Sequence, residues 1–368
     1  MKASQRRELW RRRLRDGLIS VVVVLVSVLI GALLVTDAGQ SPINAYTTIF
    51  TSTFGSTSRL VYTLSQSAPL ILVSLGLVIA FKSSFWNGGG EGQMLLGGMT
   101  GVIVTYLSHQ AGINSTPVLL FLGFAGAFVV SGLWASISGV LKVAFGIDDI
   151  VSSLLLSATA AFLVFYLVRV PFRAASTSTA AVLASVSIPS AAVFPSYGGL
   201  SGGFILAVAF AVVLYFVFAR TKFGFRLKVL GDNKNTASAY FGKGYSNRLF
   251  VLASFLSGGF IGMGGMTMVS AFTYNIIAGA SGGAYSAGGF TNSYGFIGIA
   301  VVFLVALDPL LAIAGAIFFA TLVIGGLGLL VQLNIPSSLT ITISGIAILF
   351  VSARIPITDR LRTIGRRK

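Results

Sequence analysis

Apolar runs of about 20 residues recur along this chain, and as helices each is long enough to cross a hydrocarbon core about 30 Å thick. A segment in such a core must satisfy its own backbone N–H and C=O groups, so only helices or a closed barrel are open to it. The runs are continuous rather than alternating, which selects helices. Spans are expected near 17–35, 60–81, 93–108, 117–144, 150–169, 201–219, 250–271, 294–307, 310–331 and 338–353, about ten in all. The run at 294–307 is the shortest, and the run at 117–144 must tilt or bend. Composition agrees: 9% of residues are charged, where soluble domains carry roughly 25%. The fold class expected is an all-α polytopic membrane protein.

A net charge of +16 raises the question of nucleic acid, and its distribution answers it. With the N-terminus inside, 22 of the 25 basic residues fall on the inner side, leaving Arg59, Arg169 and Arg173 outside. That asymmetry is the positive-inside rule, so the charge reports topology and both termini are expected in the cytoplasm, with no nucleic-acid partner. The organisation read from it is a basic tail at 1–16, a transmembrane domain at 17–353 with a cytoplasmic loop at 220–249, and a second basic tail at 354–368. No convincing cleavage site follows Val35, so the first span is read as an uncleaved helix. The outer loop 170–200 is long enough to dock a partner and equally suits a plain connector.

Several chemistries are excluded. The absence of cysteine removes disulfides, thiol nucleophiles and cysteine metal sites. The single histidine, His109, falls in a short outer loop, and no phosphate-binding G-x-x-x-x-G-K-[ST] loop occurs. No catalytic residue, metal site or cofactor is expected.

The most informative segment is Phe85–Gly98, FWNGGGEGQMLLGG. It sets Glu91, Asn87 and Gln93 in a glycine-rich break between two apolar runs. A second break, around 279–295, holds Phe290 and Tyr294. Residues 60–169 and 250–353 each run as a helix, a break and three further spans, starting from opposite sides of the membrane. One reading is an inverted repeat with a transport pathway between the breaks; the other is two ordinary glycine-rich loops. Glu91 likewise has two readings, a pathway or gating group, or a carboxylate complementing the dipole of its own helix with Asn87 as cap. Asp148 and Asp149 read as caps, as does Asp308 before Pro309. Gly97 with Gly101, and Gly258 with Gly262, are spaced for close helix packing.

These residues carry a resemblance. The run Asn87–Gly97 resembles the F-N-I-G-A-E-G-Q-x-L-x-G motif of ATP-binding cassette (ABC) importer permeases for nucleosides and simple sugars, within the ribose and branched-chain amino acid permease family. Trp86 precedes the Asn here, and Gly88 and Gly90 replace the usual Ile and Ala. Residues 148–156 resemble N-E-V-I-S-T-I-M-L, with Ser157 in place of a final Asn. Residues 257–265, SGGFIGMGG, resemble S-G-A-L-A-G-L-A-G, and 294–310 resemble G-x-x-G-I-A-V-A-L-L-G-x-x-N-P-L. Residues 231–242, GDNKNTASAYFG, are similar to the cytoplasmic G-x-N-x-x-A-A-x-x-x-G element, with the closing Gly one place late.

The resemblance implies a type II ABC importer permease in a bacterial cell membrane, not itself an enzyme. It implies a separate ABC ATPase, a second and non-identical permease, and an extracytoplasmic substrate-binding lipoprotein. It places the ATPase-coupling helix at Gly231, Asn233, Ala237 and Gly242, and suggests a substrate pathway at Trp86, Asn87, Glu91, Gln93, Phe290 and Tyr294. Aromatics beside the breaks suit stacking on a base, stacking on a sugar, or packing. The alternative function, an ion-gradient-driven secondary transporter of a small polar solute, needs buried titratable groups, and the interior offers essentially Glu91 alone. The topology is testable because the chain has no native cysteine: a Cys at Asn233 should resist impermeant thiol reagents in intact cells, and its labelling would overturn the orientation.

Overall fold

The computed structural model describes residues 29–33, 35–37, 39–174, 182–281, 284–286, 288–335 and 342. The expected tails at 1–16 and 354–368 lie outside the described residues, as do most of the first expected span and nearly all of the last. The described residues form two compact units, one within Val61–Ala320 and one within Met1–Leu60 with Thr321–Lys368.

Twelve helices are numbered here in chain order. They are α1 (Pro42–Phe54), α2 (Thr57–Lys82), α3 (Gly90–Gln110), α4 (Thr116–Phe145), α5 (Asp149–Arg169) and α6 (Gly202–Arg220), then α7 (Lys222–Asp232), α8 (Lys234–Phe241), α9 (Lys243–Met268), α10 (Gly288–Thr291), α11 (Tyr294–Leu304) and α12 (Leu311–Leu333). Among the described residues six helices are long and apolar enough to cross a membrane: α2, α4, α5, α6, α9 with its extension to Thr273, and α12. They coincide with six expected spans. The expected span at 93–108 is α3, a 21-residue helix. The span at 294–307 is α11, only 11 residues long and so too short to cross on its own.

Caps set most of the helix ends. Asp148 accepts from the Ile150 and Val151 amides at the start of α5, Ser201 and Thr221 cap α6 and α7, and Asp308 accepts from Leu310 and Leu311. Each leaves one or two fewer orphan N–H groups in the first turn. The end of α4 is Gly146 at φ 72°, the left-handed stop that only glycine adopts without strain. Beyond α9 the chain takes a π-helical turn, Val269–Thr273, and leaves it at Tyr274 with φ 59°.

The core of the larger unit is the crossing of α3, α4 and α9, and glycines decide how close the helices come. A Cβ at Gly97 would strike the backbone of Gly262, one at Gly101 would strike Met266, and one at Gly258 would strike Ala135 and Ser131. The small-residue pairs therefore serve packing within this chain. By contrast α5 and α6 keep large apolar side chains outward, among them Leu155, Phe162, Val213 and Phe216, as lipid-facing or subunit-facing helices do.

The described residues of the expected outer loop 170–200 include paired strands. β1 (Val182–Ala184) pairs antiparallel with β4 (Ile277–Ser281), which pairs with β5 (Ala284–Ser286). β2 (Ser196–Tyr197) and β3 (Leu200–Ser201) form a hairpin whose two turn residues, Gly198 and Gly199, both have positive φ, as a type I′ turn demands. Part of the 170–200 loop is thus bound to the strand that opens the second break. In the smaller unit, Gly325 and Gly328 of α12 approach Ile49 and Ser52 of α1.

Close approach at Gly265 provides a stability test. A Cβ there would meet the Gly98 amide at 2.7 Å and collide with the Met94 carbonyl. Gly265→Ala should lower the melting temperature markedly, by the 1–3 kcal/mol or so typical of overpacking. Gly244→Ala, with nothing within 4 Å of its Cβ, should leave it unchanged or raise it slightly. Equal melting temperatures would contradict the α3–α9 contact.

Candidate functional site

The helix α3 begins at three glycines and has no side chain of its own to cap it: its N-cap residue is Gly89. The missing partners come from elsewhere. The Gly92 amide donates to Ser157 Oγ (2.8 Å), the Gly88 amide to Ser153 Oγ (3.0 Å), and the Trp86 amide to Asp149 Oδ2 (2.7 Å). Asp149, Ser153 and Ser157 are four residues apart on α5, one above the other on a single face. The break between α2 and α3 is thereby stitched to α5 along three turns. Asp149 is buried and ion-paired with Lys142 at 3.0 Å. It is an anchor for the break, and the cap of α5 is Asp148 alone.

Asn87 and Gln93, both buried, form a reciprocal amide pair. Asn87 Nδ2 donates to Gln93 Oε1 and Gln93 Nε2 to Asn87 Oδ1, each at 2.9 Å. Asn87 also donates to Ser257 Oγ on α9 (2.9 Å) and accepts from the Gly89 amide. Ser131 of α4 donates to the Gln93 carbonyl. Four segments thus meet at one buried polar knot, where every lost bond exposes an unpaired group. Asn87 orders the break through Gly89 rather than capping α3 directly.

Glu91 reaches to the other break. Its Oε2 accepts from the Gly295 amide at 3.0 Å, and its Oε1 accepts from the Thr291 hydroxyl. Gly295 is the second residue of α11, whose N-cap, Ser293, makes no side-chain cap bond and sits at φ 59°. The carboxylate of one break therefore caps the short helix of the other, at the end where the helix dipole favours negative charge. The backbones touch here: a Cβ at Gly90 would lie 3.1 Å from the Gly295 carbonyl, and one at Gly295 would collide with the Glu91 amide.

The aromatics divide. Tyr294 is fully buried and its hydroxyl donates to the Gln66 carbonyl of α2 (3.3 Å). Phe290 is buried against Gly98 of α3. Both are packing groups in this conformation. Trp86 is 49% exposed, and its ring lies 5.3 Å from Phe81 and 6.1 Å from Phe303.

In the segment 231–242, Asn233 caps α8 by accepting from the Asn235 and Thr236 amides, and Gly242 ends it at φ 84°. Ala237 is fully buried within the chain. The outward residues of α8 are Lys234, Asn235, Thr236, Ala239 and Tyr240, with Tyr240 at 83% exposure. Phe241 lies under the Arg226 guanidinium.

Sequence reading brought out Asn87, Glu91 and Gln93 but not their partners Ser257, Thr291, Ser153 and Ser157. The four-residue spacing Asp149–Ser153–Ser157 was a usable signal. Nothing in the sequence indicated that Glu91 faces Gly295.

Apolar helices interrupted at two places, with the interruptions closed on each other by a handful of polar groups, are the construction of a membrane permease. Residues 59–352 match the family described as branched-chain amino acid transport system / permease component, and the chain belongs to that family. It is a transport component rather than an enzyme, and a multi-pass protein of the cell membrane. The glucose ABC transporter permease protein TsgB13 of Haloferax volcanii is 30% identical over 90% of this chain and 86% of its own length. The guanosine ABC transporter permease protein NupP of Bacillus subtilis is 28% identical over 93% of this chain and 94% of its own. A second guanosine permease protein of the same bacterium, NupQ, is 27% identical over 70% of this chain and 78% of its own.

The α5 ladder is open to a direct check. Ser157→Ala leaves the Gly92 amide without its partner and should cost about 1–3 kcal/mol, seen as a lower melting temperature in detergent. Thr159→Ala, whose hydroxyl bonds only the Leu155 carbonyl of its own helix, should melt as the parent does. Identical melting of both variants would remove the ladder from the account.

Proposed function

We propose that this chain is the membrane-spanning permease subunit of an ATP-driven importer of nucleosides or simple sugars, and that its pathway opens where the two breaks meet. The observation that carries the reading is the Glu91 bridge to Gly295 and Thr291. The contact is made of one carboxylate and two small donors, between helix ends that each lack a side-chain cap of their own, so a transport cycle has few bonds to exchange in order to part the breaks. The knot of Asn87, Gln93 and Ser257 beside it is buried and internally paired in this conformation, and parting of the breaks would present hydroxyl and amide groups of the kind a ribose or hexose binds. Trp86, Phe290 and Tyr294 complete the set proposed for the pathway.

The substrate class is drawn from relatives whose names state glucose and guanosine. That both guanosine permease proteins of one bacterium resemble this chain supports a second, non-identical permease beside it. A separate ATPase supplies the energy, and an extracytoplasmic binding lipoprotein delivers the solute. The charge asymmetry of the sequence supports cytoplasmic termini and a cytoplasmic 220–249 loop. The ATPase docks on the outward face of α8, at Thr236, Ala239 and Tyr240, while Gly231, Asn233, Ala237 and Gly242 hold that helix in place. An exposed aromatic on a slim helix suits the helix-in-groove mode.

Two experiments test this. In cells carrying the complete transporter, Glu91→Gln keeps the size of the side chain but removes the charge from its two hydrogen bonds, worth roughly 1.5–3 kcal/mol. Membrane abundance should hold while uptake of labelled guanosine or glucose, whichever the parent carries, changes by about tenfold or more. Parental uptake would remove Glu91 from the pathway. For docking, Tyr240→Arg should lose the co-purifying ATPase with the permease still folded, and retention of the ATPase would place the docking face elsewhere.

A further inference from the structure

The block formed by α7, α8 and the start of α9 touches the α2–α3 break at two separate points. At the first, Ser84 Oγ donates to the Gly231 carbonyl (2.7 Å). Gly231 also sits so close to the end of α2 that a Cβ there would collide with the Lys82 carbonyl. Any side chain at 231 would push the block away from the break. Ser84 itself holds φ 58°, a conformation that a non-glycine residue keeps only where its surroundings impose it.

At the second point, Lys234 Nζ lies 5.6 Å over the Phe250 ring. Phe250 meets Phe85 edge to face at 5.7 Å, and Phe85 is fully buried in the break. The block is braced internally by Arg226, which donates to Tyr245 Oη (2.7 Å) and lies over the rings of both Phe241 and Tyr245. On its far side the break is pinned to α5 by the Trp86, Gly88 and Gly92 amides.

We propose that the α7–α8 block acts on the glycine break directly, through Gly231 and Ser84 on one side and Lys234, Phe250 and Phe85 on the other. A shift of the block is then delivered to residues 83–89 against the face of α5, three residues along the chain from Gly92 and two from Glu91. Gly231 and Ser84 are positioning residues in this route: they touch no substrate, and they carry displacement between two packed elements. The inference rests on the reading of 220–249 as the ATPase-coupled segment.

The test uses the assembled permease–ATPase complex and a reporter, Trp86→Cys, which is the sole cysteine of this chain. The rate of its reaction with a fluorescent maleimide, read on this chain after electrophoresis, is compared without nucleotide and after trapping with ATP and vanadate. The two rates should differ by at least about fivefold, the lower end of ordinary allosteric coupling. Adding Gly231→Ala or Ser84→Ala should bring the two rates together while the ATPase still co-purifies and hydrolyses ATP. If Gly231→Ala does not assemble, Ser84→Ala decides, because it removes one hydrogen bond and almost no volume. Rates that stay as far apart in Ser84→Ala as in the parent overturn the route, and so do equal rates in the parent complex. Co-purification with Tyr240→Arg reports on docking alone, so failure of the docking reading is seen separately from failure of the route.

Discussion

The bond between the Glu91 carboxylate and the first turn of α11 is the contact on which the rest of the arrangement depends. Helix α11 is 11 residues long and begins at a serine that contributes no side-chain cap, so its exposed amides need an acceptor from outside. The chain supplies one from 204 positions away. In a domain this poor in polar groups, an orphan amide costs more than in water because nothing nearby replaces the lost partner. The first break and the second are therefore stabilised by each other.

Glycine makes that contact reachable. Gly90 and Gly295 bring two backbones together, and Gly97, Gly262 and Gly265 let α3 and α9 cross at backbone distance. Each glycine in a helix costs roughly 0.5–1 kcal/mol relative to alanine. Tight packing of long apolar helices offsets that cost, and the polar knot at Asn87 fixes which arrangement is adopted. Hydrophobic burial alone would not do so, since between its first and last turns α3 is predominantly apolar on all sides. Stability and register thus come from different residues: apolar side chains and small residues supply the first, and about six polar side chains the second.

Much of the fold was legible because its signals are local. Apolar length gave the membrane-crossing helices, and Asp148 and Asp308 announced the helix starts they cap. The two breaks were visible as glycine clusters, and the resemblance of five segments to one permease group agrees with the family to which the chain belongs. What stayed hidden depends on helix rotation and distant pairing. The rotation of α8 was not legible: it turns Ala237 inward and leaves Thr236 and Tyr240 exposed. Asp149 looked like a second cap, yet it is drawn to Lys142 and the Trp86 amide. The strand pairing between 182–184 and 277–279 could not be read from three-residue segments, which carry no periodicity of their own.

The central claim is that the two breaks are closed on each other through Glu91 and part during transport. Hydrogen exchange of the segment that contains Gly295, followed by mass spectrometry of the assembled transporter, addresses it without knowledge of the substrate. The account predicts slow exchange across residues 292–298 in one nucleotide state, clearly faster exchange in the other, and fast exchange in both states of Glu91→Ala. Slow exchange that neither nucleotide nor the loss of Glu91 alters would contradict it, and would leave the meeting of the breaks as static packing.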